Sequence, residues 1–418
     1  DSIMKQTKNM FPAEKSDIDQ TVNYIVERIT TIIKKIGPRA PGSPEELKAQ
    51  EFMAEDLKKW SDEVTIEKFT VHRQAFMGFI PFTVAMAIIS VFLYWVNMPL
   101  KAFGVTVLGI IPLILEFLMY KQFCDPLFKG HPSHNVLSVR KPVGEVKRVI
   151  YFVAHADSQY EWTLNYKFGG VGMKLILIPA VVGLIVSSIA NFVLWVTSIT
   201  LKTRAIDFMF FKFVGIALVI FIPFFIAFLF FQSYTKSVPG ANDNLSGCLC
   251  SMAVLKTLDE ADIRFENTEV RVLLTGSEES GLRGAKAFIK AHNDELKDTE
   301  TIVIAVDTIR DLKDMAIYDR DLTGTVKHDK QVKELVKKAA QNCGMDLPYA
   351  SVYIGASDAA AFTQAKIKST GFVAMDPTPP RYYHTRLDNY DLLEPETLKI
   401  GTQILYETAC LYDKEGLK

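Results

Sequence analysis

His155-Ala156-Asp157-Ser158 and Gly240-Ala241-Asn242-Asp243-Asn244 are two polar fragments set on either side of a long, mostly apolar stretch. Downstream lie the pair Glu278 and Glu279, then Asp307, then His384. Imidazoles and carboxylates are costly to bury unless they are paired or bound to metal. Singly, each has an ordinary reading: a strand-end Asp caps a turn, adjacent Glu residues on a loop are solvated, and a lone His packs on a surface. Yet they fall at or just after the ends of predicted strands. Gathered at one edge of one sheet, two imidazoles and four of these carboxylates make a ligand set for two divalent cations of borderline character. Zinc is the natural choice, and manganese or cobalt would fit the same donors.

The elements that must position these residues follow from periodicity. Residues 18–36 carry Ile18, Val22, Ile25, Ile29, Ile32, Ile33 and Ile36 at three- and four-residue spacing, which predicts an amphipathic helix. Gly37-Pro38-Arg39-Ala40-Pro41-Gly42 ends it, and Ser43-Pro44-Glu45-Glu46 reads as a capping box opening a second helix to about Trp60. Alternation over 64–71 predicts a strand. Residues 135–140 and 149–154 read as adjacent strands, the second delivering His155. From Gly240 onward strands (269–275, 301–306, 315–318, 369–374) alternate with helices (249–258, 282–292, 330–342, 357–365, 395–412). That order implies an α/β fold, a mainly parallel mixed sheet sandwiched by helices. Ligands in such sheets bind outside the carboxyl ends of the strands.

Two stretches interrupt this pattern. Residues 76–97 contain no charge over about 20 positions, the length that spans a ~30 Å hydrocarbon core, and after a turn at Met98-Pro99-Leu100-Lys101 residues 102–120 return. A second hairpin runs across over 171–197 and back over 208–231. Four transmembrane helices in two hairpins are therefore expected. Pro179 and Pro223 lie inside them, and Lys174 and Lys212 lie near helix ends, where they can snorkel. Glu116 is a candidate intramembrane polar site, although its place about one turn from the helix end favours an interfacial or water-facing role over a substrate path. The expected organisation is 1–72, 122–168 and 234–418 as one catalytic domain, interrupted by hairpins over 73–121 and 169–233.

Composition agrees with a split molecule. Of 418 residues 49% are hydrophobic and 23% charged, with charge sparse inside the apolar stretches. A net charge of -1 without a basic stripe excludes a nucleic-acid partner. Five cysteines, odd in number and scattered, argue against a disulfide framework and favour a reducing compartment; Cys248 and Cys250 read as core packing in a helix. Asp1 to Asp19 is polar with no apolar signal-peptide core. Lys and Arg flanking the spans on the domain side outnumber those at the hairpin tips, which favours an integral membrane protein with a cytoplasmic catalytic domain.

The soluble part resembles the M28 family of metallopeptidases, zinc aminopeptidases that also include glutaminyl cyclases. The resemblance is carried in order by Ile36-Gly37-Pro38-Arg39 with Pro41-Gly42-Ser43, Ala154-His155-Ala156-Asp157-Ser158, Gly240 to Gly247 and Ser277 to Gly284. Val306-Asp307, Ser357-Asp358 with Phe362, and Tyr383-His384-Thr385 with Asp388 complete it. The resemblance implies His155 and Asp307 on one zinc, Glu279 and His384 on the other, and Asp243 bridging. It further implies Glu278 as general base and acid, and Asp157 as the partner that orients His155.

Three positions depart from the family pattern. Leu245 replaces a small residue, Ala305-Val306 precede Asp307 without the usual Asn, and Asn389 follows Asp388 where Thr is common. None is a ligand, so an active enzyme is expected. The larger departure is topological, because His155 and Asp243 stand 88 positions apart with a membrane hairpin between them. The metal site is thus expected near the bilayer surface. The leading expectation is a membrane-anchored dizinc aminopeptidase acting on peptides, with apolar or membrane-proximal substrates favoured. An amidohydrolase of N-acyl amino acids or other lipid-like amides is the alternative; a glutaminyl cyclase or an inactive scaffold ranks lower. The sequence carries no signal for an oligomeric state.

Overall fold

The computed structural model describes residues 17–352 and 354–417. The polar N-terminal stretch lies, up to Ser16, outside the described residues. The chain forms two units: one comprises the residues up to Arg73, Gly130–Tyr160 and the chain from Lys236, and the other comprises Gln74–Lys129 and Glu161–Thr235. The second unit therefore takes in chain beyond the apolar runs themselves, including 122–129 and 161–168.

The first unit is built on a nine-stranded sheet. Its strands are β1 (Glu63–Val71), β2 (His131–Arg140), β3 (Arg148–His155), β4 (Thr268–Thr275), β5 (Glu300–Ile309), β6 (Met315–Asp321), β7 (Val326–Lys327), β8 (Tyr349–Ser351) and β9 (Lys368–Ala374). They lie in the order β1-β2-β4-β3-β5-β9-β6-β7, with β8 beside β6. The centre, β4-β3-β5-β9, is parallel, whereas β1-β2, β2-β4, β9-β6 and β6-β7 are antiparallel. The fold is the expected mixed α/β sheet with a parallel heart and antiparallel flanks. One expected pairing is corrected: β2 and β3 are not neighbours, because β4 inserts between them. Apolar β3 needs a parallel partner on each side, and the later strands β4 and β5 supply both.

Helices cover both faces. Ile150, Phe152 and Ala154 of β3 join the core formed with Ile18–Lys35, Pro44–Trp60, Gly247–Glu260, Lys330–Asn342 and Pro395–Glu415. Tyr151, one residue out of phase, packs edge-on against Phe288 of helix Arg283–His292 at 5.9 Å between ring centroids. Because β3 is buried on both faces, its outlet at His155 is held rigidly. Helix Ile18–Lys35 buries Val22, Ile25, Ile29 and Ile32, the stripe its spacing predicts.

The second unit has four helices long and apolar enough to cross a membrane: Ala75–Trp95, Pro99–Leu118, Thr163–Thr200 and Met209–Phe228. The longest is broken at Gly169, whose φ of 70° is left-handed. Leu175, Phe92, Phe210 and Ile220 are exposed on this unit. Inside it, Thr83 Oγ1 donates to Gly109 O at 2.7 Å, Tyr94 OH to Phe211 O at 2.7 Å, and Asn191 Nδ2 to Ser90 Oγ at 3.1 Å. Pro112 is followed by a wide turn, Leu113–Leu118, that contains Glu116. Glu116 is buried and not water-facing; its Oε2 accepts a hydrogen bond from Cys124 N at 2.9 Å. The carboxylate thus ties the end of the apolar helix to the loop that follows.

Candidate metal centre

Ligand-type residues gather at the carboxyl ends of the parallel strands. His155 ends β3, Glu278 and Glu279 open a short 3-10 turn after β4, and Asp307 lies at a register shift near the end of β5. Asp243 comes from the irregular turn Ala241–Ser246, in which the Asp243-Asn244 peptide is cis. His384 follows β9. Several of the turns are left-handed without glycine: Ser277 (φ 52°), Leu282 (60°), Thr308 (45°) and His384 (53°). Such backbone persists only where surrounding contacts over-determine it, and here it turns side chains back toward one gap.

Asp243 is the hub of that gap. Its Oδ1 lies 3.2 Å from His155 Nε2, and its Oδ2 lies 3.0 Å from His384 Nε2. Asp307 Oδ1 and Glu278 Oε2 are each 3.9 Å from His155 Nε2, while Glu279 Oε1 is 3.2 Å from His384 Nε2. The residues fall into two groups, His155 with Asp307 and His384 with Glu279, sharing one carboxylate. Ligand atoms of His155, Asp243 and Glu279 all lie within 4.8 Å of one another.

These residues fit divalent ions. Asp243 Oδ2 and Glu279 Oε1 are buried yet accept no directed hydrogen bond, although the His384 ring is close to both. Orphaned buried oxygens of this kind call for a cation. Electrostatics agree. Burial, reinforced by the charge on Asp243, pushes Asp307 up to about 7, and burial with Glu279, Asp358 and Asp307 holds Glu278 well above the usual carboxylate range. Burial disfavours a charged His384, but Glu279 and Asp243 outweigh it and raise the ring to about 9. Burial likewise opposes charge on Asp243, where the two imidazoles win and hold it low. The acids outnumber the two imidazoles that answer them, an excess of negative charge that divalent ions would balance.

A surrounding layer fixes each ligand. His155 Nδ1 faces Asp157, 3.3 Å from its carbonyl oxygen and 3.5 Å from Oδ1, which leaves Nε2 for the gap. The Asp157 carboxylate also accepts from Glu278 N and Glu279 N, both at 3.1 Å. Asp388 accepts from Asn242 N at 2.9 Å, Asn242 Nδ2 at 2.8 Å and Asp243 N at 2.9 Å. Gln159 Nε2 donates to Glu279 Oε2 at 2.8 Å. Asn244 Nδ2 donates to Val306 O at 2.8 Å and its Oδ1 accepts from Thr308 N at 3.1 Å, steadying the Asp307 turn.

Glu46 completes the layer. Ser43 Oγ accepts from Glu46 N at 3.2 Å, so the hydroxyl half of the expected capping box forms. The carboxylate does not return to Ser43; it accepts from Gly42 N at 3.0 Å, Ser133 Oγ at 2.8 Å and Ser277 N at 2.7 Å. Three successive amides, of Ser277, Glu278 and Glu279, are thus gripped by two buried carboxylates. The roles of Gln159, Asn244 and Glu46 escape the sequence; the available signal was a polar side chain flanking each motif. Cys248 is buried and free, its Sγ 3.1 Å from His155 O, a packing role as expected. The structure brings His155, Asp157, Asp243, Glu278, Glu279, Asp307 and His384 together, and Glu116 belongs to the other unit.

Residues 230–409 match the family model for peptidase family M28. The chain is 28% identical over 181 residues to aminopeptidase YwaD of Bacillus subtilis, a match spanning 42% of this chain and 38% of that relative. Its fold is similar to that of a Bacillus subtilis zinc aminopeptidase, with a TM-score of 0.55 and 15% identity over 94% of this chain and 95% of the other. It is also similar to a Bacteroides thetaiotaomicron glutaminyl cyclase bound to N-acetylhistamine, with a TM-score of 0.54 and 14% identity over 94% and 97% of the two chains. These structural likenesses concern the fold. Residues 230–409 thus carry the likeness to peptidase family M28, and the sheet unit built around that segment has the zinc-aminopeptidase fold.

Proposed function

We propose that the chain is a membrane-anchored dinuclear zinc aminopeptidase that removes N-terminal residues from peptides. The observation that carries this reading is Asp243, whose two oxygens face two different histidines at 3.2 and 3.0 Å. His155, Asp307 and Asp243 would hold one ion, and His384, Glu279 and Asp243 the other. When bound, the ions supply Lewis-acid polarisation of the scissile carbonyl and lower the pKa of the nucleophilic water.

The remaining work belongs to side chains. Glu278 accepts the proton of the attacking water and returns it to the leaving amine, and burial, which holds its carboxyl above the usual carboxylate range, makes it the more basic for that exchange. Asp157 does two jobs: it fixes the face that His155 presents and holds the backbone of Glu278. Gln159 keeps Glu279 turned to the gap so that the neighbouring carboxylates have separate tasks. The four apolar helices support anchoring in a bilayer, and the flanking-charge bias favours the sheet unit on the cytoplasmic side.

Likeness to a glutaminyl cyclase supports a second reading, cyclisation of N-terminal glutamine. Hydrolysis of N-acyl amides by the same residues is a third. Detergent-purified protein assayed on peptides with free and blocked N-termini, N-acyl amides and an N-terminal glutamine peptide separates the three. Chelator-sensitive release of the first residue only from free N-termini is expected. Turnover confined to blocked or acylated substrates, or cyclisation without hydrolysis, would sink the aminopeptidase reading.

A further inference from the structure

We infer that Arg39 is the positioning residue that clamps the segment 238–243 to the segment 155–158, so that the two fragments separated by the insertion Glu161–Thr235 present one ligand set. The inference rests on the metal-centre reading above and assigns a role to a side chain whose hydrogen bonds go to backbone carbonyls.

Arg39 follows helix Ile18–Lys35 on the irregular Gly37-Pro38 turn and is fully buried. All of its guanidinium hydrogen bonds go to backbone carbonyls, and those carbonyls lie on both sides of the insertion. Nε donates to Ala156 O at 2.8 Å, Nη1 to Pro239 O at 2.7 Å and Gly37 O at 3.3 Å, and Nη2 to Gly240 O at 2.9 Å. Its backbone repeats the link. Arg39 N donates to Ser158 Oγ at 2.9 Å, Ser158 N donates to Arg39 O at 2.9 Å, and Ser158 Oγ donates onward to Val238 O at 2.7 Å.

Two further observations point the same way. Gly240 is left-handed at φ +61°, and a Cβ there would lie 2.5 Å from Asp243 O, 2.7 Å from Ser158 Cβ and 3.0 Å from Arg39 Nη2. The fragments therefore approach more closely than a side chain would allow, at the point where the guanidinium joins them. Burying a guanidinium with only carbonyl partners is costly, and burial pulls Arg39 down to about 10 against the field of neighbouring acids such as Asp157, Asp388 and Asp243. A local fold could be stapled more cheaply by apolar contact. What a planar fork adds is simultaneous reach to Ala156 on one fragment and to Pro239 and Gly240 on the other, which the single ammonium of lysine cannot provide.

The test uses the full chain in detergent, comparing wild type with Arg39→Lys and the milder Ser158→Ala. Zinc affinity is read by chelator competition. Amide exchange over 155–158 and 238–244 is read in metal-stripped protein, with β4 and β5 as internal control. For Arg39→Lys the expected result is zinc binding weakened about 10- to 100-fold, the range for groups that support ligands, with faster exchange in both fragments and unchanged exchange in the control strands. Ser158→Ala should show a smaller change of the same pattern. Zinc affinity within twofold of wild type, or unaltered exchange in the two fragments, overturns the clamp. If Arg39→Lys fails to fold, Ser158→Ala decides by the same criteria. If wild type binds no zinc, the metal reading fails while the exchange comparison still decides the clamp.

Discussion

In the sheet unit Arg39, Glu46, Asp157, Asp243 and Asp388 are all buried, whereas the helical unit buries Thr83, Ser90, Thr106, Ser187 and Asn191. Among the described residues, the buried acids of the helical unit are Glu116 and Glu161, one close to the end of an apolar helix and one just before another. Both units bury polar groups, but with opposite logic. Around Asp243, charge is tolerated because carboxylates, imidazoles and a guanidinium answer one another and a divalent ion completes the sum. Between the helices, neutral hydroxyls and an amide bond to carbonyls and to each other, which costs little in an apolar medium. The comparison assigns chemistry to one unit and cohesion to the other.

The largest effect is expected from Glu278→Gln, which keeps size and hydrogen bonding but removes the proposed proton carrier. Turnover should fall about 10²- to 10⁴-fold, while elemental analysis finds the same zinc content as in wild type. Activity within tenfold of wild type would move the base elsewhere. Glu46→Gln should act more weakly, lowering kcat about tenfold, the lower edge for residues that support a site. Its effect passes through the Ser277 amide, so KM on the same peptide should hold nearly constant. An unchanged kcat would reduce Glu46 to a helix-start residue.

Protonation gives the next effect. Burial and the charge of Asp243 hold Asp307 and Asp388 each at about 7, above the ~3.9 of an exposed Asp. Groups raised in the folded state bind more protons folded than unfolded across that interval. Their contribution is fully present below about pH 4 and is lost as pH rises through about 7. His384, at about 9, adds the same sign at higher pH, whereas depressed Asp243 acts only below about pH 4. Metal-stripped protein should therefore melt at lower temperature at pH 8 than at pH 5.5, and zinc should remove most of that fall. A Tm in chelator that rises with pH over this range contradicts the assignment of the crowded acids to a cation site.

Much of this was legible in the chain. The stripe from Val22 to Ile32, the strands that deliver His155 and Asp307, and the four apolar runs are local periodicities, and local periodicity survives folding. What was not legible depends on distant partners. The insertion of β4 between β2 and β3 is a long-range pairing that neither strand encodes alone. Glu46 sits in a sequence that reads as a complete capping box, yet its carboxylate is taken by Ser277, 231 positions away. Ser277, Thr308 and His384 adopt left-handed backbone that glycine would have advertised. At the site, tertiary contacts override local preference, and a sequence records local preference best.

The smallest effect should come from the helical unit. Asn191 Nδ2 bridges Ser90 Oγ at 3.1 Å and Ser187 O at 2.8 Å, and Ser90 Oγ in turn meets Thr106 Oγ1 at 2.5 Å. Asn191→Leu breaks the link between the segments that carry Asn191 and Ser90 without adding charge, and side-chain hydrogen bonds between membrane helices average only about 0.6 kcal/mol. A loss of about 0.5–1 kcal/mol in detergent unfolding is expected, with zinc content and kcat on a soluble peptide unchanged. Should kcat fall tenfold while zinc stays bound, the helical unit would be shaping catalysis, and the division between cohesion and chemistry would have to be redrawn.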